Sequence, residues 1–298
     1  MAEGQQKVFF NRVALIGLGL IGSSLARAIK RHGLAGEIVG HARSKETREV
    51  ALGLGFIDRA SETAAAAVKG ADLVVIAVPV GVTGAIAQEI APALGAGAIV
   101  TDVGSVKGAV VDAVGPHIPE GVHFVPAHPV AGTEKSGPEA GFAELFEGRW
   151  CIITPPPGTD AEAVTRVSSL WRAVGSEVDT MDPHHHDMVL AITSHLPHLI
   201  AYTIVGTATD LENHLQREVI KFAAGGFRDF TRIAASDPVM WRDVFLANKD
   251  AVLEMLGRFD ADLTALQRAI RYGDGAALEE IFKRTRAIRR SIVEAGQA

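Results

Sequence analysis

Apolar and polar positions along the first 180 residues alternate in short blocks. Apolar runs near 13–16, 37–40, 72–78, 98–101, 122–125 and 151–154 predict strands, with a last one around Val178. Between them, helical spacing predicts helices over 23–31, 45–54 and 161–174, and Pro155-Pro-Pro-Gly158 reads as a loop. The run at 72–78 is apolar after its first residue, as expected of a strand covered on both faces. Strands alternating with helices imply an α/β fold with a doubly wound, mostly parallel sheet. After Met181-Asp-Pro183 the texture changes. Helical spacing runs over 186–209, over 239–269 behind the helix start Asp237-Pro238, and over 276–295, with little strand signal. The expected division is an α/β domain at 1–183 and an all-α domain at 184–298. Helices this apolar would leave patches uncovered on a monomer, so a homodimer is expected.

The composition narrows the classes. The 298 residues are 48% hydrophobic and 21% charged, the balance of a folded chain with a sizeable core. A net charge of -6 without a Lys/Arg run gives no reason to expect nucleic acid. The first seven residues are polar, unlike a signal peptide, and the apolar run behind them is too short and glycine-broken to span a membrane. The single cysteine, Cys151, sits in Trp-Cys-Ile-Ile and reads as a small buried hydrophobe in a reducing, cytoplasmic setting.

Between the first strand and first helix stands Gly17-Leu-Gly-Leu-Ile-Gly22. A glycine turn alone is weak evidence. In this position it allows a tight turn, a close backbone approach to a pyrophosphate and a helix N-terminus that binds anions, which predicts a Rossmann-type dinucleotide site. NAD sites usually carry Asp or Glu at the end of the second strand. Here that region reads Gly40-His-Ala-Arg43-Ser44-Lys45, with no carboxylate before Glu46. Arg43 and Ser44 suit a 2′-phosphate, so NADP is favoured over NAD. The alternative is that Arg43 stacks on adenine in an NAD site.

Four further segments are dense in polar groups: Asp102-Val-Gly-Ser-Val-Lys-Gly108, His128-Pro-Val-Ala-Gly-Thr-Glu-Lys-Ser-Gly137, Ser194-His-Leu-Pro-His198, and the run from Gly225 through Arg228-Asp229, Arg232 and Trp241 to Asp243. Together, and in this order, they closely resemble the prephenate/arogenate (cyclohexadienyl) dehydrogenase family of tyrosine biosynthesis. The resemblance implies a Rossmann domain followed by a helical dimerisation domain, and oxidative decarboxylation of prephenate or arogenate with hydride transfer to NAD(P)+. It implies that His128 is the catalytic histidine taking the hydroxyl proton, expected near its ordinary pKa. Ser105 would bond both that histidine and the substrate. Arg232 would hold the ring carboxylate and His198 the substrate side chain, while Thr133 and Glu134 border the pocket. Glu134 could pair with Arg228 or another cation. Asp229 is a candidate contact for the amine of arogenate, although it could equally be a helix-start residue. The implied cofactor contacts are Gly17, Gly19, Leu20, Ile21, Gly22, Arg43, Ser44, Val78, Pro79, Asp102 and Ser105. His195 is expected to be structural. Tyrosine, if it binds, is expected at the active site, because the last helix leaves little chain for an appended regulatory domain.

Two other enzyme readings and one of a different class compete. A β-hydroxyacid dehydrogenase of similar architecture would need a lysine on the first interdomain helix, and residues 187–210 contain none. A metal site at His184-His-His-Asp187 with His195 and His198 lacks a ligand set at the usual spacing, so no metal is expected. A dinucleotide sensor without catalysis would have no use for a histidine, a serine and a carboxylate-binding arginine together.

Overall fold

A computed structural model describes residues 9–209, 218, 221, 222 and 224–294. The polar segment 1–7 and the expected helix end at 295 lie outside the described residues. Six parallel strands form the main sheet: β1 (Phe10–Ile16), β2 (Ala35–His41), β3 (Arg59–Ser61), β4 (Leu73–Ile76), β5 (Ile99–Asp102) and β6 (His123–Phe124). Their spatial order is β3-β2-β1-β4-β5-β6, which reverses direction between β1 and β4. Open sheets bind ligands beyond the strand ends at such a reversal. A second sheet holds β7 (Ala127–Pro129), β8 (Trp150–Ile153) and β9 (Glu177–Thr180), with β7 antiparallel and β9 parallel to β8. The apolar run near 151–154, expected to continue the main sheet, belongs to this second one.

The strand residues alternate between two cores. Val13, Leu15, Leu73 and Val75 face one apolar layer with α1 (Leu20–Arg31), α2 (Lys45–Gly53) and α6 (Ala161–Ala173). Ala14, Ile16, Val74 and Ile76 face the other, with α3 (Ala64–Val68), α4 (Thr83–Ile90) and α5 (Lys107–Val114). Cys151 lies fully buried in the first layer, where burial pushes its thiol well above the usual value.

Helix starts follow local chemistry. Ser44 caps α2 by accepting from Thr47 N–H, and Asp160 caps α6 through Ala163 N–H. Asp182 caps α7 (Pro183–Leu190) through His184 and His185 N–H, with Pro183 in the first helical position. A π-helical segment at Ala191–His195 links α7 to α8 (Leu196–Thr209). Pro197 has no N–H for the carbonyl four residues back, which accounts for loosened winding there. Among the described residues this stretch, Pro183–Thr209, is long and apolar enough to cross a bilayer, at mean hydropathy 1.5. Its buried His186, Asp187 and His195 interrupt that character.

Two short segments follow, α9 (Gly225–Thr231) and α10 (Pro238–Ala247), and then α11 (Lys249–Tyr272) and α12 (Gly275–Glu294). The single helix expected over 239–269 is therefore broken at Asn248, whose side chain is buried in hydrogen bonds rather than placed on a helix face. The chain divides into two compact units, Met1–Lys249 and Asp250–Ala298. This division falls later than the change of texture at 183, because Asp187 ties α7 to α5.

Candidate active site

The glycine turn leaves β1 and enters α1. Gly17 has φ +106°, and a Cβ there would lie 2.2 Å from the Ala77 carbonyl oxygen. A Cβ on Gly22 would lie 2.1 Å from the Gly17 oxygen, so only glycine lets helix and strand approach this closely. Gly19 differs: a Cβ would meet nothing within 4 Å. It begins α1 with no side-chain cap and no acidic residue in the first turn, where Leu20 and Ile21 follow. Open space over uncapped amides fits a pyrophosphate. Val78 and exposed Pro79 leave β4 beside this turn. β2 ends at His41 without a carboxylate, and Arg43 and Ser44 beyond it are exposed. Ser44 Oγ spends one acceptor position on the cap of α2, and its hydroxyl proton remains free to donate.

Asp102, expected to touch the cofactor, has no exposed surface. Its carboxylate accepts from Gly104 N–H at 2.7 Å and Ala127 N–H at 3.2 Å, and pairs with the ammonium of Lys107, also fully buried. Lys107 donates as well to the Ala127 carbonyl at 2.7 Å. Burial pushes the Lys107 pKa below the ordinary lysine value, and the Asp102 carboxylate opposes the change. The pair thus pins the loop before α5 to the start of β7, and the Asp102 carboxylate is spent on these internal contacts.

His128 stands in the middle of β7, 8% exposed. Its Nδ1 is 2.8 Å from His186 Nε2, and His186 Nδ1 is 2.8 Å from Asp187 Oδ1. Asp187 in turn accepts from the N–H groups of Lys107 at 2.7 Å and Gly108 at 2.8 Å, capping α5 from across the fold. No hydrogen bond joins Ser105 to His128 among the described residues, contrary to expectation; Ser105 is half-buried in the loop before α5. Nor does His128 keep its ordinary pKa. Burial, with His186, Lys107 and His195 nearby, holds it well below the usual imidazole value, so it is an unprotonated acceptor at neutral pH.

Beyond β7 the loop carries exposed Thr133, whose hydroxyl accepts from Lys135 N–H, and Glu134. The partner of Glu134 is Arg232, at 3.0 Å, rather than Arg228. A bond from its own backbone amide, and Arg232 after it, hold the Glu134 carboxyl below its usual value. Arg228 and Asp229, both largely exposed, bond each other on α9 at 3.3 Å. His198 on α8 stacks on Trp241 of α10, ring centres 3.7 Å apart, and its Nδ1 donates to the Ser194 carbonyl. Trp241 packs on Val106, next to Ser105, together with Val244. His195 is fully buried; its Nδ1 accepts from Asn248 Nδ2, and burial lowers its pKa to about 4. The buried nitrogens His195 Nε2 and Trp241 Nε1 have no hydrogen-bond partner among the described residues. Among those residues no group of His, Cys, Asp and Glu is arranged to hold a metal ion.

The family model for the prephenate dehydrogenase nucleotide-binding domain matches residues 25–180, and that for the prephenate dehydrogenase dimerization domain matches 182–284. The chain belongs to the prephenate dehydrogenase family. It is 42% identical to a cyclohexadienyl dehydrogenase of Zymomonas mobilis over 94% of this chain and 95% of that one. It is 40% identical to a prephenate dehydrogenase of Bacillus subtilis over 91% of this chain and 72% of the relative. Its fold is similar to that of Aquifex aeolicus prephenate dehydrogenase in complex with hydroxyphenyl propionate and NAD+, with TM-score 0.88, 36% identity, and 95% and 98% of the two chains covered.

Sequence reasoning missed Trp241, His186, Asp187, Lys107 and Asn248 as parts of this site. A signal existed for two of them. Pro183, His186, Asp187 and Leu190 form the buried stripe of α7 at spacings of three and four, while His184 and His185 lie off it.

Proposed function

We propose that the chain oxidatively decarboxylates prephenate, and arogenate as well, using residues 1–183 for the dinucleotide and 184–298 for substrate contacts and dimerisation. The observation that carries this reading is a buried, neutral imidazole, His128, whose pKa burial holds well below the usual value and whose Nδ1 is engaged by His186. When bound, the nicotinamide dinucleotide supplies the hydride acceptor. His128 takes the proton of the ring hydroxyl as the carbon beneath it gives up hydride. The bond to the ring carboxylate then breaks, carbon dioxide leaves, and its electron pair makes the ring aromatic. The phenolate so formed takes back a proton from His128, and the product is 4-hydroxyphenylpyruvate, or tyrosine from arogenate. Arg232 holds the ring carboxylate. Its pair with Glu134 is solvent-exposed and therefore weak, so a substrate carboxylate displaces Glu134 easily. Ser105 and Thr133 line the reacting ring, and His198, steadied by Trp241, meets the substrate side chain. Asp229 accepts the amine of arogenate.

The absence of a carboxylate at the end of β2, with exposed Arg43 and Ser44 beyond it, supports NADP+ over NAD+. The dimerization-domain match and exposed Leu263, Ile270, Tyr272 and Phe282 on α11 and α12 support a homodimer. Tyrosine, sharing the product ring, would compete at the same site, and the soluble biosynthetic role suits a cytoplasmic location. Reduced-nicotinamide absorbance with prephenate and with arogenate, each with NAD+ and with NADP+, tests the reading. Turnover is expected with both substrates and a higher kcat/KM with NADP+. Silence in all four mixtures from folded, cofactor-binding protein would refute it.

A further inference from the structure

We propose that His186 and Asp187 are positioning residues that hold His128 as its Nδ1–H tautomer and so reserve Nε2 as the lone pair that accepts the substrate proton. The direction of every bond in this chain follows from its anchored end. The backbone amides of Lys107 and Gly108 can only donate, and they donate to both oxygens of Asp187. Asp187 Oδ1 is therefore an acceptor toward His186 Nδ1, 2.8 Å away, and places the proton on that nitrogen. Burial pushes the His186 pKa below its ordinary value, so the ring is neutral and its Nε2 is a bare lone pair. That lone pair lies 2.8 Å from His128 Nδ1, which must supply the proton. The ring centres lie 5.0 Å apart with the planes at 71°, a spacing that suits a bond between the two ring edges. The opposite arrangement would set two donors or two lone pairs face to face somewhere along the relay.

The surroundings hold this arrangement in place. A Cβ on Gly108 would come within 2.9 Å of Asp187 Oδ2, so the carboxylate seat needs glycine. Asn248 Nδ2 donates to the Asp187 carbonyl at 2.8 Å, locking the α7 backbone from the other side. The charged and titratable groups facing the relay are Lys107 on α5, Asp102 on β5 and His195 in the π segment. Lys107 is committed to Asp102 and the Ala127 carbonyl, and so does not compete for Asp187 through its side chain. When Nε2 accepts the substrate proton, the imidazolium keeps its Nδ1–H on His186, and the Asp187 carboxylate faces the new charge through that ring. Proton count is conserved, because Nε2 returns its proton to the phenolate.

This inference rests on His128 being the base, and its test separates the two claims. Imidazole ¹⁵N resonances of the full-length free protein at pH 7.5 report which nitrogen of His128 carries the proton. Wild type is expected to show Nδ1–H; Nε2–H would overturn the relay. His186→Phe, which removes the acceptor, is expected to lose that preference and to lower kcat about 100-fold or more, with KM and dinucleotide Kd changed less than about twofold. His186→Gln, which restores an acceptor, is expected to recover part of kcat. Unchanged kcat in folded His186→Phe would overturn the positioning role. If His186→Phe does not fold, the wild-type resonances decide alone. Full turnover in His128→Asn alongside a wild-type Nδ1–H signal would instead refute the base and leave the tautomer standing.

Discussion

His195 offers a sharp test of how the buried imidazoles couple stability to pH. Its ring is fully buried, bonded to Asn248, and its pKa falls from 6.5 to about 4 through burial. In the unfolded chain it titrates near the ordinary value of about 6.5. Between these two values the unfolded state binds a proton that the folded state refuses, so stability rises with pH there. The contribution is complete above 6.5 and is lost as pH falls, levelling off below about 4. At about 1.4 kcal/mol per pH unit, His195 costs roughly 2 kcal/mol at pH 5 relative to pH 7.5 and roughly 3 kcal/mol once fully titrated. His195→Gln keeps an acceptor for Asn248 but cannot take up a proton. Urea unfolding of both proteins at pH 7.5 and 5.0, at one protein concentration, isolates the effect, since His128 and His186 remain in both. Wild type should lose about 2 kcal/mol more than the variant on acidification. Parallel losses would refute a buried neutral His195.

Other outcomes follow from the same cluster and the cofactor turn. Because the base is held unprotonated, kcat/KM should stay flat through neutrality and fall only on the acid side of 6.5; a limb at or above 6.5 in the rate profile would contradict the burial of His128. Lys107→Met should cost about 3–5 kcal/mol in denaturant unfolding, because it strands the enclosed Asp102 carboxylate. Arg43→Ala should lower kcat/KM for NADP+ about tenfold or more and leave that for NAD+ within a factor of about two, measured by initial rates.

What could be read from the chain alone depended on how local its cause was. The glycine turn was legible because strand, turn and helix are adjacent, and the start of α2 because Ser44 supplies its own cap. The second sheet was not, since the buried run around Cys151 has the same apolar texture whichever sheet receives it. Periodicity ran one helix through 239–269, although tertiary bonds from Asn248 end α10 there. The resemblance brought His128, Arg232 and Glu134 into view. It did not show that Glu134 faces Arg232, 98 positions away, or that Asp102 turns inward to Lys107. His186 and Asp187 came up only as a rejected metal site, because their partners lie 58 and 80 positions back in the chain.

The central claim is that His128 accepts the substrate hydroxyl proton in the step that reduces the nicotinamide. Its most direct test is His128→Asn, assayed by reduced-nicotinamide absorbance with prephenate under saturating cofactor, with dinucleotide Kd measured separately. The account predicts a fall in kcat of about 100-fold to 10,000-fold at unchanged Kd. Turnover within a few-fold of wild type would contradict it.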